Sequence, residues 1–196
     1  LGIPQEIATV QISSFPKDSQ KALDGMVAYQ THQLADLSDD SFVHDYRVMP
    51  AQEDDQLPVI IGVCLQSIID DRVKNYSSAG VQVTDFGLSS LALANAFFEL
   101  RPQLAESGKP CMILDVEDQA TTMVVIVGRR ILFAGTLDFG CEKYSAAVAE
   151  QYGESKVPQR RRIASPRRPH IRTRDQDSAL GRAAQLLLSE IRSGLE

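Results

Sequence analysis

The chain has 196 residues, 43% of them hydrophobic, with 26 acidic and 20 basic side chains and a formal net charge of −6. That is enough chain and apolar content for a packed core. It contains no run of about 18 apolar residues that would cross a bilayer, and its opening, LGIPQEIATVQ, has no signal-peptide pattern. A soluble cytoplasmic protein is expected. Cys64, Cys111 and Cys141 are odd in number and form no CxxC pair, which fits thiols in a reducing compartment and argues against zinc.

In chain order, the pattern predicts a strand over 6–15 and a helix over 18–37, capped by Asp18 or Ser19, with Leu23, Met26, Val27, Gln30 and Leu34 along one face. Strands follow over 42–49 and 58–65, flanking the polar AQEDDQ. A short helix over 68–77 ends at Ala79-Gly80, where glycine supplies the left-handed cap. Residues 81–85 read as a strand feeding a helix over 89–106, closed by Gly108 and Pro110. The order is mixed α/β.

Residues 110–140 form three apolar runs broken by an acidic loop and a Gly-Arg-Arg turn. Met112, Ile113 and Leu114 read as a short buried strand that stops at Asp115, and β-branched Thr122 to Val127 as its neighbour. Gly128 supplies the turn and residues 131–137 run back; Arg129-Arg130 reads as a solvated tip. The last helix, 179–195, has an apolar stripe of Leu180, Ala183, Ala184, Leu187, Leu188 and Ile191, which is either core or partner surface.

Charge is uneven. Between Lys156 and Arg174 there are eight basic residues and no acidic one, leaving 12 Lys and Arg against 26 Asp and Glu, or −14, elsewhere. With Pro158, Pro166 and Pro169, this segment is expected to be an exposed loop, either a solvated insertion or a contact for nucleic acid, anionic lipid or an acidic partner. It has no interleaved aromatics, so single-strand binding has little support, and no nucleic-acid partner is expected. Walker A, the Rossmann glycine fingerprint and G-x-S-x-G are missing, and His32, His44 and His170 lack metal-ligand spacing.

A carboxylate ending a strand, followed by a hydroxyl-bearing loop and a hairpin, resembles the phosphate corner of actin-like nucleotide-binding domains. The second phosphate loop of that superfamily runs Asp-Ile-Gly-x-x-x-Thr. Asp115, Val116 and Thr121 hold its first, second and last places, with Glu117 where glycine belongs. A later Gly-Gly-x-x-Leu-Thr opening a helix is matched by Gly140, Cys141, Tyr144 and Ser145, with Cys141 in place of the second glycine. LLLSEIRSGLE resembles a Glu-Ile-x-x-Ser helix near the adenosine, aligning Glu190, Ile191 and Ser193. Upstream, His44 to Tyr46, Val59 to Val63, Ala79-Gly80 and Ala92 to Ala96 resemble the pilus-assembly PilM family, a relative of the cell-division branch. The match covers about 150 residues at low identity.

This resemblance implies an actin-like, ribonuclease H-like α/β fold, apparently a partial chain. Residues 1–82 would be a small inserted subdomain of the first lobe, 83–109 a long linking helix, and 110–155 the meander and helix of the second lobe. The basic loop would span 156–178 and the closing amphipathic helix 179–196. It implies a cytoplasmic scaffold for type IV pilus or related secretion assembly, peripheral to the inner membrane. A PilN-type bitopic partner would bind it through its cytoplasmic tail, at Tyr46, Val59, Ile61 and Val63. ATP with magnesium, where bound, would meet Asp115, Thr121, Thr122, Gly140, Ser145, Glu190 and Ser193, with Asp115 toward the metal. Glu117 and Cys141 point to a weak or lost nucleotide site. Alternatives are an active ATPase or phosphotransferase using Asp115, and a division-type filament former, in which protomers contact one another.

Overall fold

The computed structural model describes residues 1–35, 41–50, 55–152 and 179–194. The basic loop, most of AQEDDQ and the end of the first predicted helix lie outside the described residues. The described chain divides into two compact units, Leu1–Ile113 with Met123–Gly135, and Leu114–Thr122 with Thr136–Glu196.

In the first unit, β1 (Gly2–Ile3) leads through a short 3-10 turn to β2 (Ala8–Pro16). The helix predicted from residue 18 begins instead as a 3-10 turn over Lys17–Ala22, and α1 proper is Leu23–Ala35. The cap predicted at Asp18 or Ser19 does not form, because the 3-10 turn starts at Pro16 and the Ser19 hydroxyl donates back to the Pro16 carbonyl at 2.6 Å. Strands β3 (Phe42–Val48) and β4 (Gln56–Leu65) complete an antiparallel sheet in the order β2-β4-β3. Pro58 is tolerated in this central strand because its missing N–H would face Met49, just past the end of β3.

Strand alternation sorts β4 into two faces. Val59, Ile61 and Val63 pack with Phe15, Leu23 and Val27 beneath α1, while Ile60 joins a second cluster with Met49, Ala94, Phe98, Val124, Ile126 and Ile131. Each such fully buried side chain contributes about 1.5–3 kcal/mol relative to exposure. After α2 (Gln66–Ser78), Gly80 takes φ 78°, the left-handed cap that a side chain disfavours.

Residues 81–86 do not form the predicted strand. The strand is β5 (Gly87–Leu88), paired in parallel with Gly2–Ile3. The predicted helix over 89–106 is broken into α3 (Ser89–Leu100) and α4 (Pro102–Glu106), since Pro102 forces Arg101 out of helical geometry (φ −134°, ψ 51°). Ser90, Ala94 and Phe98, four residues apart, form the buried face of α3.

Strands β6 (Pro110–Val116), β7 (Thr121–Val127) and β8 (Arg130–Leu137) form a three-stranded meander, and each contributes residues to both units. The two-residue Gly128-Arg129 connection permits only an antiparallel pair. Strand β7 is buried, as its β-branched run predicts, whereas β6 alternates and leaves Met112 and Leu114 exposed, which corrects the buried strand expected there. The second unit continues into α5 (Cys141–Tyr152) and α6 (Ala179–Ser193), which pack together. Ala183 and Leu187 of the predicted stripe close on Phe139 and Tyr144, but Leu188 is exposed.

Candidate docking groove and phosphate corner

The first unit holds a groove of about 630 Å³, within the usual range of ligand sites. Ile60, Gly62 and Cys64 of β4 line it, as do Leu88 from β5, Leu91, Ala92 and Phe98 from α3, and Arg129 and Ile131 from the β7–β8 hairpin. Strand β3 contributes every residue from Val43 to Val48. The close packing of Leu88 on Gly62 shapes the floor: a Cβ at position 62 would stand 2.8 Å from Leu88 Cδ1.

Of the four residues expected to meet a partner, Tyr46 and Val63 line the groove. Val59 and Ile61 do not. They are 0% and 1% exposed beneath α1, so the face of β4 turned to the groove is the one carrying Ile60 and Gly62. Sequence could not choose between these faces, because PVIIGVCL is apolar on both. Arg129, read as a solvated tip, sits with its guanidinium 5.2 Å over the Phe98 ring, and it shares the groove with Arg47.

Two titratable groups of the groove are shifted. The Tyr46 phenol is pushed above its ordinary value, chiefly by donating to the Asp24 carboxylate and then by burial and the charges of Asp24 and Asp45. Burial likewise pushes the Cys64 thiol up, partly offset by a backbone hydrogen bond at Leu65 and by Arg72.

The second unit contains the predicted phosphate corner, and most of its polar groups are already engaged. The Thr121 hydroxyl, fully buried, donates to the Phe139 carbonyl. Thr122 and Ser145 are buried and Gly140 lies against the loop, where a Cβ would stand 2.3 Å from the Asp118 carbonyl oxygen. The Cys141 N–H donates to the Glu117 carbonyl at 2.7 Å and the Glu142 N–H to the Asp118 carbonyl at 3.0 Å. These are the amides at the start of α5 that an anion would otherwise use.

Lys143, a cation that the sequence reading did not single out, is held by Asp138 at 3.3 Å. Asp115 is half-buried on β6, Glu190 is half-buried and Ser193 exposed on α6. Among the described residues no three His, Cys, Asp or Glu side chains converge as metal ligands. Thr121 and the first amides of α5 are thus committed to backbone carbonyls rather than turned to an anion.

The model of the type IV pilus assembly protein PilM matches residues 6–158. This chain belongs to the PilM family. A chain of a solved "PilM-PilN type IV pilus biogenesis complex" superposes with a TM-score of 0.72 at 17% identity, covering 99% of this chain and 56% of that one. The chain thus spans little more than half the length of that PilM-type structure. A protein of Bacteroides thetaiotaomicron with an actin-like ATPase fold and unknown function gives a TM-score of 0.41 at 15% identity, covering 79% of this chain and 54% of that one. No curated protein matches. The fold is the mixed α/β class that the PilM resemblance implied, shared with that PilM-type structure. Among the described residues no helix is long and apolar enough to cross a membrane.

Proposed function

We propose that this chain is the partner-docking portion of a PilM-type scaffold for type IV pilus assembly. It binds the cytoplasmic tail of a PilN-type inner-membrane protein and works at the cytoplasmic face of that membrane. The observation that carries this reading is the groove of about 630 Å³, with apolar β4 and α3 side chains on its walls. An extended peptide anchors its apolar side chains in such a groove. The match to a PilM-PilN complex supplies the chemical class of partner. Residues 1–82 then supply one wall of the docking groove, through β3 and β4, and β5, α3 and the β7–β8 hairpin supply the other. The basic segment 156–174 would assist at anionic lipid.

Nucleotide has a weak or lost role in this proposal. Thr121 and the first amides of α5 are committed to backbone carbonyls, and Glu117 brings a carboxylate to the loop. Asp115 with magnesium would therefore lack a positioned phosphate, on which phosphoryl transfer depends.

The test is an anisotropy titration of the chain with a labelled PilN-type tail peptide, repeated with Ala92→Arg. Ala92 is an exposed α3 position on the groove wall, so arginine there obstructs the groove without opening the core. Saturable binding lost in the variant is expected. Equal binding by both proteins would place the peptide elsewhere.

A further inference from the structure

Strand β2 forms one edge of the β2-β4-β3 sheet, and among the described residues no segment pairs with its outer side. One bond that continues the β2–β4 ladder fixes which backbone groups face outward. The Lys17 N–H donates to the Asp55 carbonyl at 3.0 Å, one step beyond the Pro16–Gln56 pair. Successive residues of an antiparallel strand turn their N–H and C=O to opposite sides, so Thr9, Gln11, Ser13 and Phe15 face β4 as Lys17 does. Ala8, Val10, Ile12 and Ser14 turn theirs outward. Pro16 shares that direction but has no N–H, and its carbonyl accepts the Ser19 hydroxyl at 2.6 Å, so the open ladder ends at Ser14. The Ala8 carbonyl also accepts from the Gln5 side-chain amide at 3.1 Å.

Charge ordinarily guards an exposed edge. The opposite edge, β3, carries His44, Asp45 and Arg47, whereas Ala8–Pro16 holds no ionisable side chain. The four outward residues are centred on Gln11, whose Oε1 is buried with no hydrogen-bond partner among the described residues. Helix α1 leaves part of β2 uncovered. It packs over Val59, Ile61 and Val63 of β4 and reaches β3, where Asp24 accepts the Tyr46 hydroxyl. The notch left over β2, about 480 Å³, is lined by Phe15, Gly25, Met26, Tyr29 and Gln30, and Tyr29 is 67% exposed.

We infer that β2 is a self-association edge, pairing antiparallel with β2 of a second copy of this chain across a twofold axis at Gln11. This goes beyond the docking reading and uses the other edge of the sheet. The symmetry sets Val10 against Ile12, Ala8 against Ser14 and Gln11 against itself, which engages all four outward residues and leaves Pro16 out. The β-branched Val10–Ile12 pairs extend the apolar cluster against which both side chains already pack. Each Gln11 amide, turned toward the axis, donates to the Oε1 of the other. The two α1 helices then stand roughly 14 Å apart across three strand spacings, more than the about 8–10 Å of helices in contact. The Tyr29 rings of both copies fill that gap from their notches. Charge permits this register. Glu6 of one copy comes beside Lys17 of the other, where Lys17 and Lys21 are balanced by Asp18 and Asp55 and no net charge repels it.

The test is sedimentation equilibrium of the full chain together with disulfide trapping. A concentration-dependent dimer is expected. Gln11→Cys places two thiols at the axis, where facing Cα atoms of a non-hydrogen-bonded pair lie about 4.5 Å apart, within disulfide reach. Oxidation should give a covalent dimer that the unmodified chain does not form. Thr9 of one copy faces Ser13 of the other, so the thiols of Thr9→Cys stay roughly 14 Å apart and do not join. Ser14→Pro removes an outward N–H while sparing the β2–β4 ladder, and dimerisation should weaken about tenfold. If Ser14→Pro does not fold, the two cysteine variants decide. A monomer at every concentration leaves this edge to some other chain and overturns the proposal. Dimers that crosslink equally at both positions, or at neither, overturn it as well.

Discussion

The Cδ1 methyl of Leu88 lies over Gly62, 2.8 Å from where a Cβ at that position would stand. The obstructing atom is the end of a flexible side chain, so a larger residue displaces Leu88 and leaves the β4 backbone in place. Gly62→Val is expected to cost about 1–2 kcal/mol of stability and to push Leu88 into the groove. Peptide affinity measured by anisotropy should fall about tenfold. Unchanged affinity in a folded variant would mean the peptide does not use this floor.

Gly140 is tighter, because its neighbours are backbone. A Cβ would stand 2.3 Å from the Asp118 oxygen and 2.5 Å from the carbonyl carbons of Asp118 and Gln119. Gly140→Ala must move the 117–120 loop away from α5, at a cost of about 3 kcal/mol. A urea midpoint matching wild type would show that the loop yields freely.

Thr121 separates structure from ligand binding. Its hydroxyl satisfies the buried carbonyl of Phe139, so Thr121→Val should cost about 1–3 kcal/mol while keeping side-chain shape. Thr121→Ser should retain most of the stability. Equal stability of the two variants would indicate that this bond is not made.

Tyr46 predicts a pH dependence. Its donation to Asp24 requires the protonated phenol, so the folded pKa lies above 10.0. A raised value gives stability that is fully present below the unfolded pKa and is lost as pH climbs through the folded one. Tyr46→Phe should be less stable than wild type at about pH 8, with the gap closing under strongly alkaline conditions. A gap constant with pH would contradict this linkage.

Much of the fold was legible because its signals are local. The β-branched Thr121–Val127 run, the Gly128 turn (φ 62°) and the Gly80 cap each follow from short-range sterics. Failures came where distant chain decides. Val81 and Val83 alternate like a strand but find no partner, whereas Gly87–Leu88 gains one from Gly2–Ile3 across the sequence. The groove was half legible for the same reason: β4 is apolar on both faces, and only packing under α1 removes Val59 and Ile61 from reach. At the corner, residue types suggested phosphate contacts, but the bonds from Thr121, Cys141 and Glu142 to backbone carbonyls depend on loop geometry that no motif encodes.

The central claim, docking without turnover, is tested most directly by calorimetric titration of the chain with a PilN-type tail peptide and, separately, with ATP and magnesium. The account predicts saturable peptide heat that is unaffected by nucleotide, and no saturable nucleotide heat in wild type or Asp115→Ala. Nucleotide binding abolished by Asp115→Ala, together with no peptide binding, would contradict it.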